Sequence, residues 1–233
     1  MTASKGHRLA RLILDLRTPM LYLGILLVAA TAAFTVISPQ TLRFLQAHLN
    51  QELAYFTVTD PFLAHVRLGL GLAIFTTVPL FSWWFWKAMA GPFNLTRPTR
   101  VWFVLFSCLL FYGGTIFCFM VTLPLGVNFL LGYQSEQLQA VIAVGKFVTF
   151  VTVFVLAFGF IAMLPIFMVF GAKSRLLTRK SFERNRGYAV LIITIIAALI
   201  TPTPDMVNLS FMAVPMYLLY ESGIMIIKLL KIE

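Results

Sequence analysis

Two of the eight acidic residues in this chain of 233 stand where an acid is hard to keep. Glu221 lies inside the apolar run that follows Met206, and Asp205 closes the turn Leu199-Ile-Thr-Pro-Thr-Pro-Asp205. An ionised carboxylate in hydrocarbon costs several kcal/mol unless it faces protein or water. Glu221 is therefore expected on the concave, protein-facing side, protonated or hydrogen-bonded to hydroxyls such as Tyr112, Thr115 or Ser222. Counted from Val207 it sits roughly 21 Å along its helix, well inside an apolar slab. The span interiors offer no Lys or Arg to pair with it. Asp205, two residues before an apolar helix, is placed to cap it.

Parts for other chemistry are missing. His7, His48 and His65 are scattered, with no partner at metal-ligand spacing, so surface or interfacial positions account for them. No Gly-rich phosphate loop is present, and the Gly113-Gly114 pair reads as close helix packing or a flexible point. Cys108 and Cys118 are ten residues apart in one apolar segment, about 15 Å along a helix, which no disulfide bridges. An intramembrane protease needs paired acids or a serine–histidine pair within its spans, and of the acids only Glu221 lies in one. The inventory implies neither an enzyme nor a cofactor.

The elements that must position Glu221 are membrane spans. Hydrophobic residues make up 60% of the chain and charged residues 11%, with a mean hydropathy of +0.92, against about 25% charge in soluble domains. One polytopic domain of six helices is expected, with spans at about 19–37, 66–90, 101–131, 147–171, 188–202 and 207–230. Ser38-Pro39 is expected to end the first, leaving a loop to Pro61 in which 41–56 could form an amphipathic surface helix. Trp83, Trp84 and Trp86 cluster near the end of the second span, as interfacial anchors do. The third run, of 31 residues, has to tilt, bend at Pro124 or project beyond the membrane. The fifth is too short to span comfortably, because Pro202 and Pro204 stop the helix and reverse the chain. A short final helix pair with an acid in it implies a locally thinned bilayer.

The net charge of +10 is a matter of orientation. Assigning loops alternately to the two sides puts 15 of the 18 Lys/Arg on one side, leaving Arg43, Arg67 and Lys146 on the other. Basic loops stay in the cytoplasm, so both termini are expected there (N-in, C-in), and no nucleic acid is implied.

Several segments resemble the TatC family, the multi-spanning core subunit of the twin-arginine protein translocase. Leu14-Asp15-Leu16-Arg17 is similar to the family's L-x-E-L-R segment, and Asp60-Pro-Phe leads into span two as expected. Phe111-Tyr-Gly, with Pro124-Leu and Phe129-Leu, resembles the third span, and Ala157-Phe-Gly with Pro165 resembles the fourth. Most specific is the end, where Thr-Pro and Pro-Asp205 are followed by Pro215 ten residues on and Glu221 six beyond that. The chain also departs from the family. The first basic loop, 91–100, has no acid where members carry a glutamate, and Met163 replaces a glutamate of the fourth span. Thr203 is an extra residue in the turn, and Leu209 replaces the usual polar residue.

The resemblance implies an all-α, six-helix scaffold with a concave face and short last helices, in the cytoplasmic membrane of a prokaryote or its organellar equivalent. It implies reception of twin-arginine signal peptides and export of folded proteins driven by the proton-motive force, in a hetero-oligomer with single-span Tat subunits of the TatA/TatB type. Asp15, Arg17, Asp205 and Glu221 are the contact residues it points to. The alternative is an accessory subunit that keeps this scaffold inside another membrane complex without signal recognition.

Overall fold

The computed structural model describes residues 2–49, 53–131, 142–200 and 206–231, with side chains from residue 20 onward apart from 129–131 and 208. The first helix, α1 (Thr2–Leu49), runs straight through Ser38-Pro39. The expected break there, and a separate surface helix beginning at residue 41, do not occur. Pro39 has no N–H to give to the carbonyl four residues back, but the Ser38 hydroxyl donates to that carbonyl, Thr35 O, at 2.7 Å. The Ser38 proton is then spent, so its oxygen accepts from His65 Nδ1–H at 2.9 Å. Ser38 is fully buried, and one hydroxyl both repairs α1 and ties it to the next helix.

The same repair recurs twice. In α2 (Asp60–Ala90), Pro79 leaves Phe75 O without its helical donor, and the Tyr112 hydroxyl, from a neighbouring helix, donates to it at 3.1 Å. The third span comprises α3 (Arg97–Phe117), a π-helical turn over Cys118–Thr122 and α4 (Leu123–Leu131). In the wider register Phe119 O would pair five residues on, with Pro124, which has no proton. His48 Nε2–H lies 3.2 Å from Phe119 O instead, and its ring stacks on Phe119 with centroids 4.3 Å apart. Both histidines, which the sequence presents as incidental surface groups, thus serve these proline repairs, His48 directly and His65 through the Ser38 hydroxyl.

A two-residue parallel pairing, Leu53–Ala54 (β1) with Ile142–Ala143 (β2), ties the loop after α1 to the start of α5 (Val144–Ala162). That helix breaks at Met163, ahead of Pro165, and resumes as α6 (Leu164–Lys173). Then come α7 (Arg179–Arg184), α8 (Arg186–Ile200) and α9 (Met206–Leu229). Among the described residues, five segments are long and apolar enough to cross a membrane: Met20–Leu49, Asp60–Ala90, Arg97–Asn128, Val144–Lys173 and Leu209–Leu229. The shorter apolar helix Arg186–Ile200 makes the sixth.

The core lies where α2, α3 and α5/α6 meet. Trp86 is fully buried, donates from Nε1 to Ser107 Oγ at 2.8 Å and stacks on Phe103 at 4.7 Å. It is a core residue and not the interfacial anchor expected of it, whereas Trp83 stays 40% exposed under Arg100. Of the two neighbouring glycines, Gly114 is the packing residue: a Cβ there would fall on Ala162, while Gly113 faces open space. Across the same contact a Cβ on Gly159 would strike Thr115 and the Phe111 ring, so α3 and α5 cross closely.

Candidate functional site

Most of the described basic residues gather at one end of the helices, away from Arg67, which donates to Gly145 O and Thr149 Oγ1 at the other. Lys173 Nζ reaches Thr99 Oγ1 at 3.4 Å, joining the end of α6 to the start of α3. Lys87 lies over the Trp84 ring and Arg100 over Trp83, with centroid distances of 4.8 and 5.3 Å. Cations stacked on tryptophan at a helix end mark a boundary between apolar and aqueous surroundings.

Glu221 belongs to this end. Its Oε1 lies 2.9 Å from Arg186 Nε, and its Oε2 accepts from Arg186 Nη2 at 2.9 Å. Tyr217, one turn earlier on α9, donates its hydroxyl to Oε1 at 2.8 Å. The two planar groups therefore face each other fork to fork, the geometry that makes arginine–carboxylate pairs selective. The hydroxyls expected to serve Glu221 are engaged elsewhere: Tyr112 on Phe75 O, Thr115 on Tyr112 O at 2.9 Å and Ser222 on Leu219 O at 2.7 Å.

Chain geometry brings Glu221 to an arginine. The helices α8 and α9 pack as an antiparallel hairpin, the start of α8 meeting the later part of α9. Arg186 is 14 residues before the end of α8 and Glu221 is 15 after the start of α9. Nearly equal lengths bring both to one level, at the hairpin's basic end and not in mid-slab. The side chains of Arg186 and Glu221 are 49% and 29% exposed. One residue before Glu221 on α9, Tyr220 donates its hydroxyl to Phe182 O at 2.8 Å and so holds α7 against α9.

A second acid of this end, Glu183 on α7, accepts from Arg179 Nε at 2.7 Å. That bond, reinforced by the charges of Arg179, Arg186 and Lys228, holds its carboxyl below the ordinary glutamate range against the opposing effect of desolvation. Both carboxylates described at this end are thus already occupied by arginines of the chain itself.

Asp15 and Arg17 lie on α1, where their side chains fall outside the described residues, and Asp205 falls outside them altogether. Sequence reasoning misses Arg186 and Tyr217. The signals that point to them are the matched helix lengths and the four-residue spacing of Tyr217 and Glu221.

An apolar recess of about 330 Å³ opens between α1, α2, the third span and α5, lined by Leu45, Leu72, Phe75, Ile116, Met120 and Leu156 among others. No residue of α9 lines it, so Glu221 does not face this recess. Met163, at the position where the resemblance calls for a glutamate, is buried in the core. Among the described residues no cluster of three or more His, Cys, Asp or Glu could hold a metal ion.

Comparison with known proteins gives a consistent result. The family model described as Sec-independent protein translocase protein (TatC) matches residues 11–215. The chain is 29% identical to the Sec-independent protein translocase protein TatC of Carboxydothermus hydrogenoformans, over 78% of this chain and 76% of that protein. It is 30% identical to the TatC of Helicobacter pylori, over 91% of this chain and 85% of that one. A crystal structure of the twin arginine translocase receptor TatC superimposes with a TM-score of 0.84 at 26% identity, covering 94% of this chain and 98% of that one.

Proposed function

The chain belongs to the TatC family of Sec-independent protein translocase proteins, and we propose that it is the subunit that receives twin-arginine signal peptides. The observation that carries this reading is the superposition on a TatC receptor over nearly the full length of both chains. On this reading the protein sits as a multi-pass component of the cytoplasmic membrane with its basic end in the cytoplasm. It supports transport of folded proteins driven by the proton-motive force, with single-span Tat subunits as its partners.

The chemistry of the basic end supports the same reading. Recognition of a guanidinium requires a carboxylate that can accept two parallel hydrogen bonds, and Glu221 accepts such a pair from Arg186. Asp15, Arg17, Asp205 and Glu221 are the residues we assign to contact with signal peptide or partner. Asp205 precedes Met206, which starts α9 at the opposite end of the hairpin from Glu221; acids are scarce at the basic end, so Asp15→Asn is expected to weaken crosslinking of a paired-arginine peptide markedly. Unchanged crosslinking removes Asp15 from the site.

The acid-free first loop and Met163 are what an accessory subunit without signal recognition would also show. Purification from native membranes separates the two. Co-isolated single-span Tat subunits support a translocase core, and a stoichiometric respiratory or photosynthetic partner supports the accessory role.

A further inference from the structure

We propose that the Glu221 carboxylate, with the Tyr217 hydroxyl, forms a binding site for one guanidinium of an incoming peptide, and that in the free protein the chain's own Arg186 fills it. The inference rests on the signal-receiving role proposed for the chain, and adds where an arginine docks in a protein whose first loop and fourth span lack acids.

Three observations carry it. First, the site already binds a guanidinium in the two-pronged geometry a peptide arginine requires, with both oxygens engaged and Tyr217 fixing one of them. Second, the pair is exchangeable. With Arg186 49% and Glu221 29% exposed, water screens the attraction, and ion pairs this open contribute little net stability. A competitor of the same chemistry can therefore replace Arg186, which a buried pair would not permit. Third, the flank is open among the described residues: beyond its own helix, nothing lies within 4 Å of where a Cβ on Gly187, the neighbour of Arg186, would sit. Glu183 does not offer the same opportunity, since its arginine lies one turn away on the same helix and re-forms locally as an ordinary helix-surface pair.

Arg186 thus acts as an internal competitor, and its removal strengthens binding. From the small net worth of a half-exposed pair, Arg186→Gln is expected to raise affinity for a peptide with adjacent arginines about two- to six-fold. The control is the same peptide with adjacent lysines. A lysine ammonium cannot satisfy both carboxylate oxygens in parallel, so it gains only the general effect of one fewer positive charge. Arg175→Gln, which removes an exposed arginine without an ion-pair partner among the described residues, measures that general effect.

The experiment is equilibrium binding of the two fluorescent peptides to the full chain in lipid nanodiscs, with the summed fluorescence of its four tryptophans reporting the fold. Selective strengthening for the arginine peptide in Arg186→Gln, abolished by adding Glu221→Gln, is the expected result. If Arg186→Gln misfolds, Arg186→Lys keeps the charge but loses the fork, and should give a smaller selective gain. Equal strengthening for both peptides, matching Arg175→Gln, overturns the proposal. An arginine preference in the wild type that Arg186→Gln leaves unchanged overturns it too, while signal reception stands. No arginine preference in any variant removes both.

Discussion

Removing one hydroxyl, in Tyr112→Phe, tests whether side-chain donors repair the proline breaks in these helices. The Tyr112 hydroxyl donates to Phe75 O at 3.1 Å, and that carbonyl has lost its own donor to Pro79. In Tyr112→Phe the ring and its edge contact with Phe75, at 4.9 Å between centroids, are kept, and only the hydrogen bond goes. Phe75 and Tyr112 are both partly buried among apolar side chains, so little water reaches the carbonyl. Hydrogen bonds between membrane helices average about 0.6 kcal/mol and reach about 1.7, while an orphaned buried acceptor costs about 1–3. A loss of about 1–2 kcal/mol is therefore expected. The decisive step is the second background. In Pro79→Ala the new backbone N–H can reach Phe75 O within the helix, so Tyr112→Phe should then cost at most about 0.5 kcal/mol, within the usual range for a change touching no special feature. Unfolding in mixed detergent and SDS micelles, followed by tryptophan fluorescence, gives all four free energies. Equal costs of Tyr112→Phe in the two backgrounds would refute the reasoning, because the hydroxyl would then be stabilising something other than that carbonyl.

The neighbouring contacts set two further outcomes. Ser38→Ala orphans Thr35 O and His65 Nδ1–H together, so it should cost about 1–3 kcal/mol in the same unfolding assay, with part recovered by Pro39→Ala. Because Glu183 has its carboxyl held below the ordinary glutamate range by Arg179, its contribution is present above that range and lost as pH falls through the lowered value. The melting-temperature gap between wild type and Glu183→Gln should hold from neutral down to the ordinary glutamate range, then close on further acidification.

How much of this architecture is legible in the sequence depends on how local the cause is. Hydropathy and charge placement act over whole segments, so the six apolar helices and the concentration of cations toward alternate loops can be read directly. Prolines read as breaks because a single residue shows only the donor it lacks. The donors that keep α1, α2 and the third span continuous come from Ser38, Tyr112 and His48, two of them on other helices, and no local pattern announces them. Trp86 misleads for a related reason. A tryptophan near a helix end is consistent with an interface, but this one faces Phe103 and Ser107 on α3, and helix rotation is set by that packing.

Glu221 meets the same limit, because its distance along α9 is legible in the sequence while its depth depends on the neighbouring helix. The hydrocarbon next to α9 is matched by α8, whose 15 residues extend only about 22 Å against a usual core of about 30 Å. A residue 15 steps into α9 has therefore already crossed to the far boundary, where Arg186 begins α8. An arginine there stays at the headgroup level, and its pairing with Glu221 pins the basic end of the hairpin to that surface. The shortfall of about 8 Å must then be taken up at the other end, by thinning of the lipid or by water entering beside the end of α8 and the start of α9. The acid that looked misplaced inside the membrane pairs with the arginine that begins α8, and it is the short reach of α8, not the acid, that leaves this hairpin short of a full span.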